Sequence, residues 1–259
     1  MLLAVDAGNT NTKFAVYDGD EQKGIWRTSN EPNRTADEYA VWLLQLMQLQ
    51  GLARDTIDAV IVGTVVPASL FNLMTLARRY FHCEPLVVGD PQVKLGMRVL
   101  TLNPAEVGAD RIMAAVAAHE TYGGPLIVVD FGTATTFDVV NREGDYLGGV
   151  IAPGVNLSIE ALHRAAAKLP MVGVERPRAD NKVLGRSTIQ AMQSGVYWGY
   201  VSLVEGLIRR LREEHKEDMK TVATGGLSSL FADATDVIDH VDKDLTLRGL
   251  LEVYRRNAA

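Results

Sequence analysis

The sequence predicts an α/β protein built from two similar domains with mixed sheets, and three observations carry that prediction. First, the opening stretch Leu2-Leu3-Ala4-Val5-Asp6-Ala7-Gly8-Asn9-Thr10-Asn11-Thr12-Lys13 has an echo at Leu126-Ile127-Val128-Val129-Asp130-Phe131-Gly132-Thr133-Ala134-Thr135-Thr136. Asp6, Gly8 and Thr12 map onto Asp130, Gly132 and Thr136 at an offset of 124 residues. Second, Val62-Gly63-Thr64 with Ser69-Leu70-Phe71 is echoed by Val222-Ala223-Thr224 with Ser229-Leu230-Phe231, at an offset of 160. Third, apolar strand-like runs alternate with helical periodicities.

Each copy of the opening element is an apolar strand that delivers an Asp to its end, followed by Gly, Thr and Asn. A second apolar run follows (Phe14 to Tyr17; Phe137 to Val140), then a Gly-Asp turn at Gly19-Asp20 or Gly144-Asp145. Hairpins of this kind make the sheets mixed rather than purely parallel. The two offsets differ by 36 residues, which places an insertion of that size in the second half, at residues 149–185. A duplicated unit predicts a ligand cleft between two domains; chance similarity of short apolar segments is the alternative. The boundary is drawn at 119/120, giving domains 1–119 and 120–259.

The helices follow in order. Thr35 with Glu38 reads as a capping box opening a helix that Gly51 closes. Asn103-Pro104-Ala105-Glu106 supplies N-cap, N1 and N3 residues for a helix running to about Tyr122. The longest run extends from about Ser187 to His215, with Ile189, Met192, Val196, Leu203, Leu207 and Leu211 on one side. The charged stretch Glu175 to Arg186 reads as a mobile loop. Gly195, Gly199, Ser202 and Gly206 put small residues on the long helix, suited to a helix interface or to close core packing.

Composition bounds the function. The 259 residues are 47% hydrophobic, enough for a large core. A formal charge of -6 argues against nucleic acid or an anionic membrane as partner, and a small diffusing ligand fits better. The single Cys83 rules out an internal disulfide and a cysteine metal cluster; it reads as a packed apolar residue in a reducing cytosol. No stretch approaches the ~20 apolar residues of a membrane helix, so a cytoplasmic protein is expected. His82, His119, His163, His215 and His240 lack metal-ligand spacing.

Neither a G-x-x-x-x-G-K-[ST] loop nor a strand-linked G-x-G-x-x-G is present. The repeated Asp loops offer another route to an anion. Gly8 lets the backbone approach closely, and nearby N–H and hydroxyl groups can donate to phosphate oxygens. Lys13 can add charge there or be solvated. Asp6 can hold Mg²⁺ directly or through water. The plainer reading is a polar hairpin turn whose Asp and Asn serve local backbone bonds.

Asp6-x-Gly8-Asn9-Thr10, Gly108-Ala109-Asp110-Arg111, Asp130-Phe131-Gly132-Thr133-Ala134-Thr135 and Gly148-Gly149-x-x-x-Pro153-Gly154 occur in this order. Together with Ala191-Met192-Gln193-Ser194-Gly195 and Thr224-Gly225-Gly226, the set resembles the type III pantothenate kinases of the acetate and sugar kinase, Hsp70 and actin superfamily. That resemblance implies two ribonuclease-H-like, actin-like domains with ATP in the cleft between them. It also implies phosphorylation of pantothenate to 4'-phosphopantothenate, the first step of coenzyme A biosynthesis, by a homodimer. Asp110 would be the general base. Gly108, Ala109, Asp110, Arg111 and Thr188 would contact pantothenate, although Thr188 also reads as a hydroxyl near a helix N-terminus. The loop Asp6, Ala7, Gly8, Asn9, Thr10, Asn11, Thr12, Lys13, together with Thr133, would bind ATP phosphate. Asp130 would hold a monovalent cation, K⁺ or NH₄⁺, and Asp6 the Mg²⁺ through water. Gly225-Gly226 would lie near the adenine or ribose, or simply serve a strand-to-helix turn. Thr101 stands where many family members carry Tyr. Other readings are a different phosphotransferase of the superfamily and a non-catalytic nucleotide-binding regulator.

Overall fold

The computed structural model describes residues 1–259 except 32, 167, 178–181 and 259. The chain forms two compact units, Met1–Glu120 with Asp244–Ala259, and Thr121–Lys243. The chain therefore crosses from one unit to the other twice, at 120/121 and 243/244, where the sequence suggested a single boundary at 119/120.

In the first unit, β1 (Leu2–Ala7), β2 (Asn11–Asp18), β3 (Glu21–Ser29), β4 (Ala59–Thr64) and β5 (Leu86–Val87) form a five-stranded sheet in the order β3-β2-β1-β4-β5. β1 pairs antiparallel with β2 and parallel with β4, so the sheet is mixed. Every residue of β1 is buried, because helices cover both faces. On one face Leu3, Val5 and Ala7 pack with Phe14 and Val16 against Tyr39, Leu43 and Met47 of α1 (Ala36–Leu49) and Leu73 and Leu76 of α2 (Pro67–Tyr80). On the other, Leu2, Ala4, Ala15 and Tyr17 pack against Ile112, Met113 and Val116 of α3 (Ala109–Tyr122) and Leu247, Leu250 and Leu251 of the C-terminal helix, Leu245–Asn257. The capping box is present: Thr35 N–H donates to Glu38 Oε2 at 2.7 Å, and Glu38 N–H to Thr35 Oγ1 at 3.3 Å.

The second unit repeats this plan. Its strands are β6 (Leu126–Phe131), β7 (Ala134–Val140), β8 (Tyr146–Pro153), β9 (Lys220–Gly225) and β10 (His240–Val241), in the order β10-β9-β6-β7-β8. Strand for strand this is the first sheet again. The extra residues expected after position 149 are α4 (Val155–Ala165) and the segment leading to α5 (Thr188–His215); Ser187 caps α5 by accepting from Gln190 N–H. The suggested mobile loop Glu175–Arg186 includes positions 178–181, which lie outside the described residues. Beyond β9, α6 (Ser228–Ala232) is short, and the C-terminal helix is therefore α7.

Three sequence expectations need correction. The helix expected from Asn103 is two pieces, a 3-10 turn at Pro104–Glu106 and then α3 from Ala109, so Gly108 precedes the helix instead of lying inside it. The buried stripe of α5 runs through Tyr197, Val201, Val204, Ile208 and Leu211, with Val196, Leu203 and Leu207 at its margin and Ile189 49% exposed. The tyrosines, apolar in body and polar only at the tip, turned the stripe from the aliphatic pattern. Finally, the register of the repeat shifts. Only Gly132-Thr133 separate β6 from β7, against Gly8-Asn9-Thr10 in the first hairpin. Thr136, not Phe137 as the offset of 124 would have it, therefore stands opposite Asp130, at the place Lys13 holds opposite Asp6. Likewise Thr224 pairs with Asp130, whereas Thr64 pairs with Ala7.

α7 returns to the first unit and approaches α3 very closely. A Cβ placed on Gly249 would lie 2.0 Å from the Met113 carbonyl oxygen. Backbone contact of that kind tolerates no side chain, since neither helix can move without disturbing the sheet beneath. Gly249→Ala is expected to lower stability by about 1–3 kcal/mol through overpacking, although Ala is the better helix former. Urea denaturation checks this, and an unchanged midpoint would show that the contact yields easily.

Candidate active site

The period of two along β1 sets the first half of the site. Leu2 and Ala4 face α3, so Asp6 is delivered to the same face at the strand end. Lys13 is its cross-strand partner on β2, with Nζ 4.0 Å from Asp6 Oδ2. Burial pushes the Asp6 carboxyl up from its ordinary 3.8 to about 6; Lys13 opposes this, and the negative charge of Asp110 adds to it. Asp6 and Asp110 are 104 residues apart in sequence, and the fold brings them into electrostatic contact.

Asp110 lies in the first turn of α3, where its Oδ1 accepts the Arg111 N–H at 2.8 Å. The helix N-terminus holds that carboxylate in place, since its first N–H groups lack intrahelical partners. Gly108 makes room for it: a Cβ there would meet Asp110 Oδ1 at 2.6 Å and Val65 Cγ1 at 3.3 Å. Ala109 and Arg111 flank it, both half-buried. In the loop, Gly8 N–H donates to Asn11 O at 3.0 Å, closing a tight turn that leaves Asn9 and Thr10 exposed. Thr12 is buried and points to the opposite face of the sheet from Asp6. The structure therefore gathers Asp6, Lys13, Gly108 and Asp110, and sets Thr12 behind them.

The second unit repeats the hairpin turn, with Gly132 N–H donating to Ala134 O at 3.1 Å and Gly132 and Thr133 exposed at the tip. Two glycines press on this loop. Gly225, at φ +90, would put a Cβ 2.5 Å from Asp130 Oδ1 and 2.6 Å from Phe131 O. Gly154 would put one 2.0 Å from Thr133 O. The Gly225 backbone is thus packed against a carboxylate and a carbonyl oxygen, hard donors of the kind an alkali cation takes. Thr188 stands exposed at the first turn of α5, apart from this loop in the chain. Thr101 Oγ1 is buried with no hydrogen-bond partner among the described residues. No group of three His, Cys, Asp or Glu side chains suited to a metal occurs among the described residues, so Asp6 would hold Mg²⁺ only jointly with water and a phosphate ligand.

Sequence reasoning passed over Asn30. It follows β3, contacts the first loop and carries no motif; only its position after the third strand could have drawn attention. Thr64 was noticed only as part of an echo, and its Oγ1 donates to Ala7 O at 3.2 Å beside Asp6.

Two mixed sheets of one topology, each ending its central strand in an Asp-x-Gly-Thr or Asp-x-Gly-Asn-Thr hairpin, define the ribonuclease-H-like fold of the actin and sugar kinase superfamily. Solved structures agree. A Campylobacter jejuni protein described as a Baf family transcriptional activator superposes with a TM-score of 0.64 at 19% identity, covering 99% of this chain and 98% of its own. Component A of (R)-2-hydroxyglutaryl-CoA dehydratase from Acidaminococcus fermentans gives 0.55 at 13% identity, covering 100% and 99%. At such identities the likeness shows the fold alone. The sequence profile of type III pantothenate kinase matches residues 2–210. Type III pantothenate kinases of Rhodospirillum rubrum and Paramagnetospirillum magneticum are 63% and 62% identical over 99% and 100% of this chain, and over 99% and 98% of their own. This chain belongs to the type III pantothenate kinase family.

The raised Asp6 pKa has a consequence for the ligand-free protein. Between pH 3.8 and about 6 the folded state keeps a proton that the unfolded chain has lost, so stability falls as pH rises through that window. The total loss is on the order of 3 kcal/mol. Asp6→Asn is therefore expected to raise the melting temperature at pH 7 and to change it little at pH 4. Thermal denaturation at the two pH values tests this; equal shifts at both would exclude a charge effect.

Proposed function

We propose that this chain transfers the γ-phosphoryl group of ATP to the primary hydroxyl of pantothenate, giving 4'-phosphopantothenate for coenzyme A synthesis. The observation that carries the mechanism is the convergence of Asp6, Lys13 and Asp110 on one face of the first unit. Asp110 is the general base. It accepts the hydroxyl proton while the substrate oxygen bonds to the γ-phosphorus and the bond to the ADP oxygen breaks. Its anchorage to the Arg111 N–H fixes the carboxylate, and the Arg111 side chain offers a guanidinium to the pantothenate carboxylate. Gly108 and Ala109 keep the approach to Asp110 open.

The loop from Asp6 to Lys13 holds phosphate through N–H and hydroxyl donors. A divalent cation, when bound, neutralises phosphate charge; Asp6 suits it, because a buried carboxylate with a raised pKa gains most from a cation. A monovalent cation, K⁺ or NH₄⁺, would take the Asp130 carboxylate and the Phe131 carbonyl oxygen as donors, the two oxygens that lie together against Gly225. The face of α5 bearing Gly195, Gly199 and Gly206, where an added Cβ would meet nothing within 4 Å, supports a homodimer. Among the described residues no helix is long and apolar enough to cross a membrane. Dependence on ATP and the unpaired Cys83 favour a cytosolic setting.

Two variants test the roles. Asp110→Asn should bind ATP normally and lose about two or more orders of magnitude in kcat with pantothenate; near-normal turnover would remove Asp110 as base. Asp130→Ala should abolish activation by K⁺ in a coupled ADP-release assay, whereas an unaltered K⁺ response would move the cation elsewhere. Parallel assays with glucose, acetate and polyphosphate separate pantothenate from other acceptors.

A further inference from the structure

We infer that Asn30 is a positioning residue that fixes the shape of the first phosphate loop for ATP. It is the residue after β3, and four hydrogen bonds run from it to three segments of the first unit. Its Nδ2 donates to Gly8 O at 2.7 Å, and its backbone N–H donates to Thr10 O at 2.9 Å. Its Oδ1 accepts from Thr12 Oγ1 at 3.4 Å and from Ser69 Oγ at 3.3 Å. Both carbonyls it satisfies belong to the three-residue tip between β1 and β2, whose other internal tie is the Gly8 to Asn11 turn. With the Gly8 and Thr10 carbonyls held by Asn30 and the Gly8 N–H by Asn11 O, the tip is tied into one shape with Asn9 and Thr10 exposed on it.

Side chains on the hidden face of the hairpin make the clamp rigid. Thr12 lies on the α1 and α2 face of the sheet, opposite Asp6, and Ser69 is buried in the first turn of α2. Asn30 thus couples the loop to α2, which packs on the face of the sheet opposite Asp6. The second unit meets the same need differently. The residue after its third strand is Gly154, and its backbone lies directly against Thr133 O. One loop is tied by an amide, the other by contact.

The inference rests on the reading that residues 6–13 bind ATP, and the experiment separates the two. The full chain and its Asn30→Ala, Asn30→Ser and Lys13→Ala variants are compared by steady-state kinetics, varying ATP at saturating pantothenate and the reverse. Asn30→Ala is expected to raise KM for ATP about tenfold, the loss of one to two hydrogen bonds, while KM for pantothenate stays within about twofold. A lowered melting temperature with both KM values unchanged would make Asn30 merely structural, and so would equal rises in both, provided Lys13→Ala raises KM for ATP. If Lys13→Ala also leaves KM for ATP unchanged, the loop reading fails and the inference falls with it. Should Asn30→Ala fail to melt cooperatively, Asn30→Ser is judged by the same criteria.

Discussion

The carboxylate of Asp6 is carried to the end of a strand that is otherwise wholly apolar and buried, and the rest of the first half-site depends on that placement. An isolated charge there is costly, and the protein meets the cost incompletely. Lys13 stands 4.0 Å away, too far for a hydrogen bond, and Asp110 adds repulsion. A site left in this condition favours whatever brings positive charge to it. The same strain would be a defect in a structural hairpin, and its presence argues against the reading of these residues as an ordinary polar turn.

The chain carries two copies of the loop on one sheet topology, and one residue of difference makes them unlike. Shortening the second tip by a residue puts the neutral Thr136 where Lys13 stands, and Thr136 Oγ1 donates onward to Asp138 Oδ2 at 3.1 Å. A further change sits on β9. The register brings Thr224 beside Asp130 and Gly225 just past it, so a bare backbone borders the carboxylate. In the first unit the corresponding place beside Ala7 belongs to Thr64, whose hydroxyl occupies the backbone carbonyl instead. The two carboxylates thus sit in different oxygen environments built on one topology.

Much of this was legible in the residues. Strand repeats and turn glycines exposed both sheets, because period-two burial and Gly-Asp turns leave local marks. The capping box at Thr35 and the Ser187 cap of α5 were readable for the same reason. What escaped was set at a distance. Whether the Asn103-Pro104 signal opens α3 or a separate 3-10 turn depends on where Gly108 must yield to Asp110. An offset shift of one residue is invisible in a short echo, yet it decides which side chain faces an Asp. The helix α7 carries no motif, and its place on the first sheet is set by packing far from its neighbours in sequence. Asn30 was hidden because an asparagine after a strand is ordinary, and its four partners lie 18 to 39 residues away.

That last case shows why a phosphate loop cannot be understood from its own residues. A three-residue tip has too few internal bonds to hold one conformation, and each ordered residue costs about 1–2 kcal/mol in backbone entropy. The restraint must come from outside the loop, and Asn30 draws it from the face of the sheet opposite Asp6. The residue after the third strand is suited to this in both units, since it leaves the sheet beside the first hairpin. Asn30 has the reach to hold two carbonyls at once across a longer tip. Gly154, by contrast, has no side chain, and the shorter second tip can be braced by backbone alone. Tip length and brace are therefore matched in each unit: the longer tip has a side-chain amide behind it, the shorter one bare backbone.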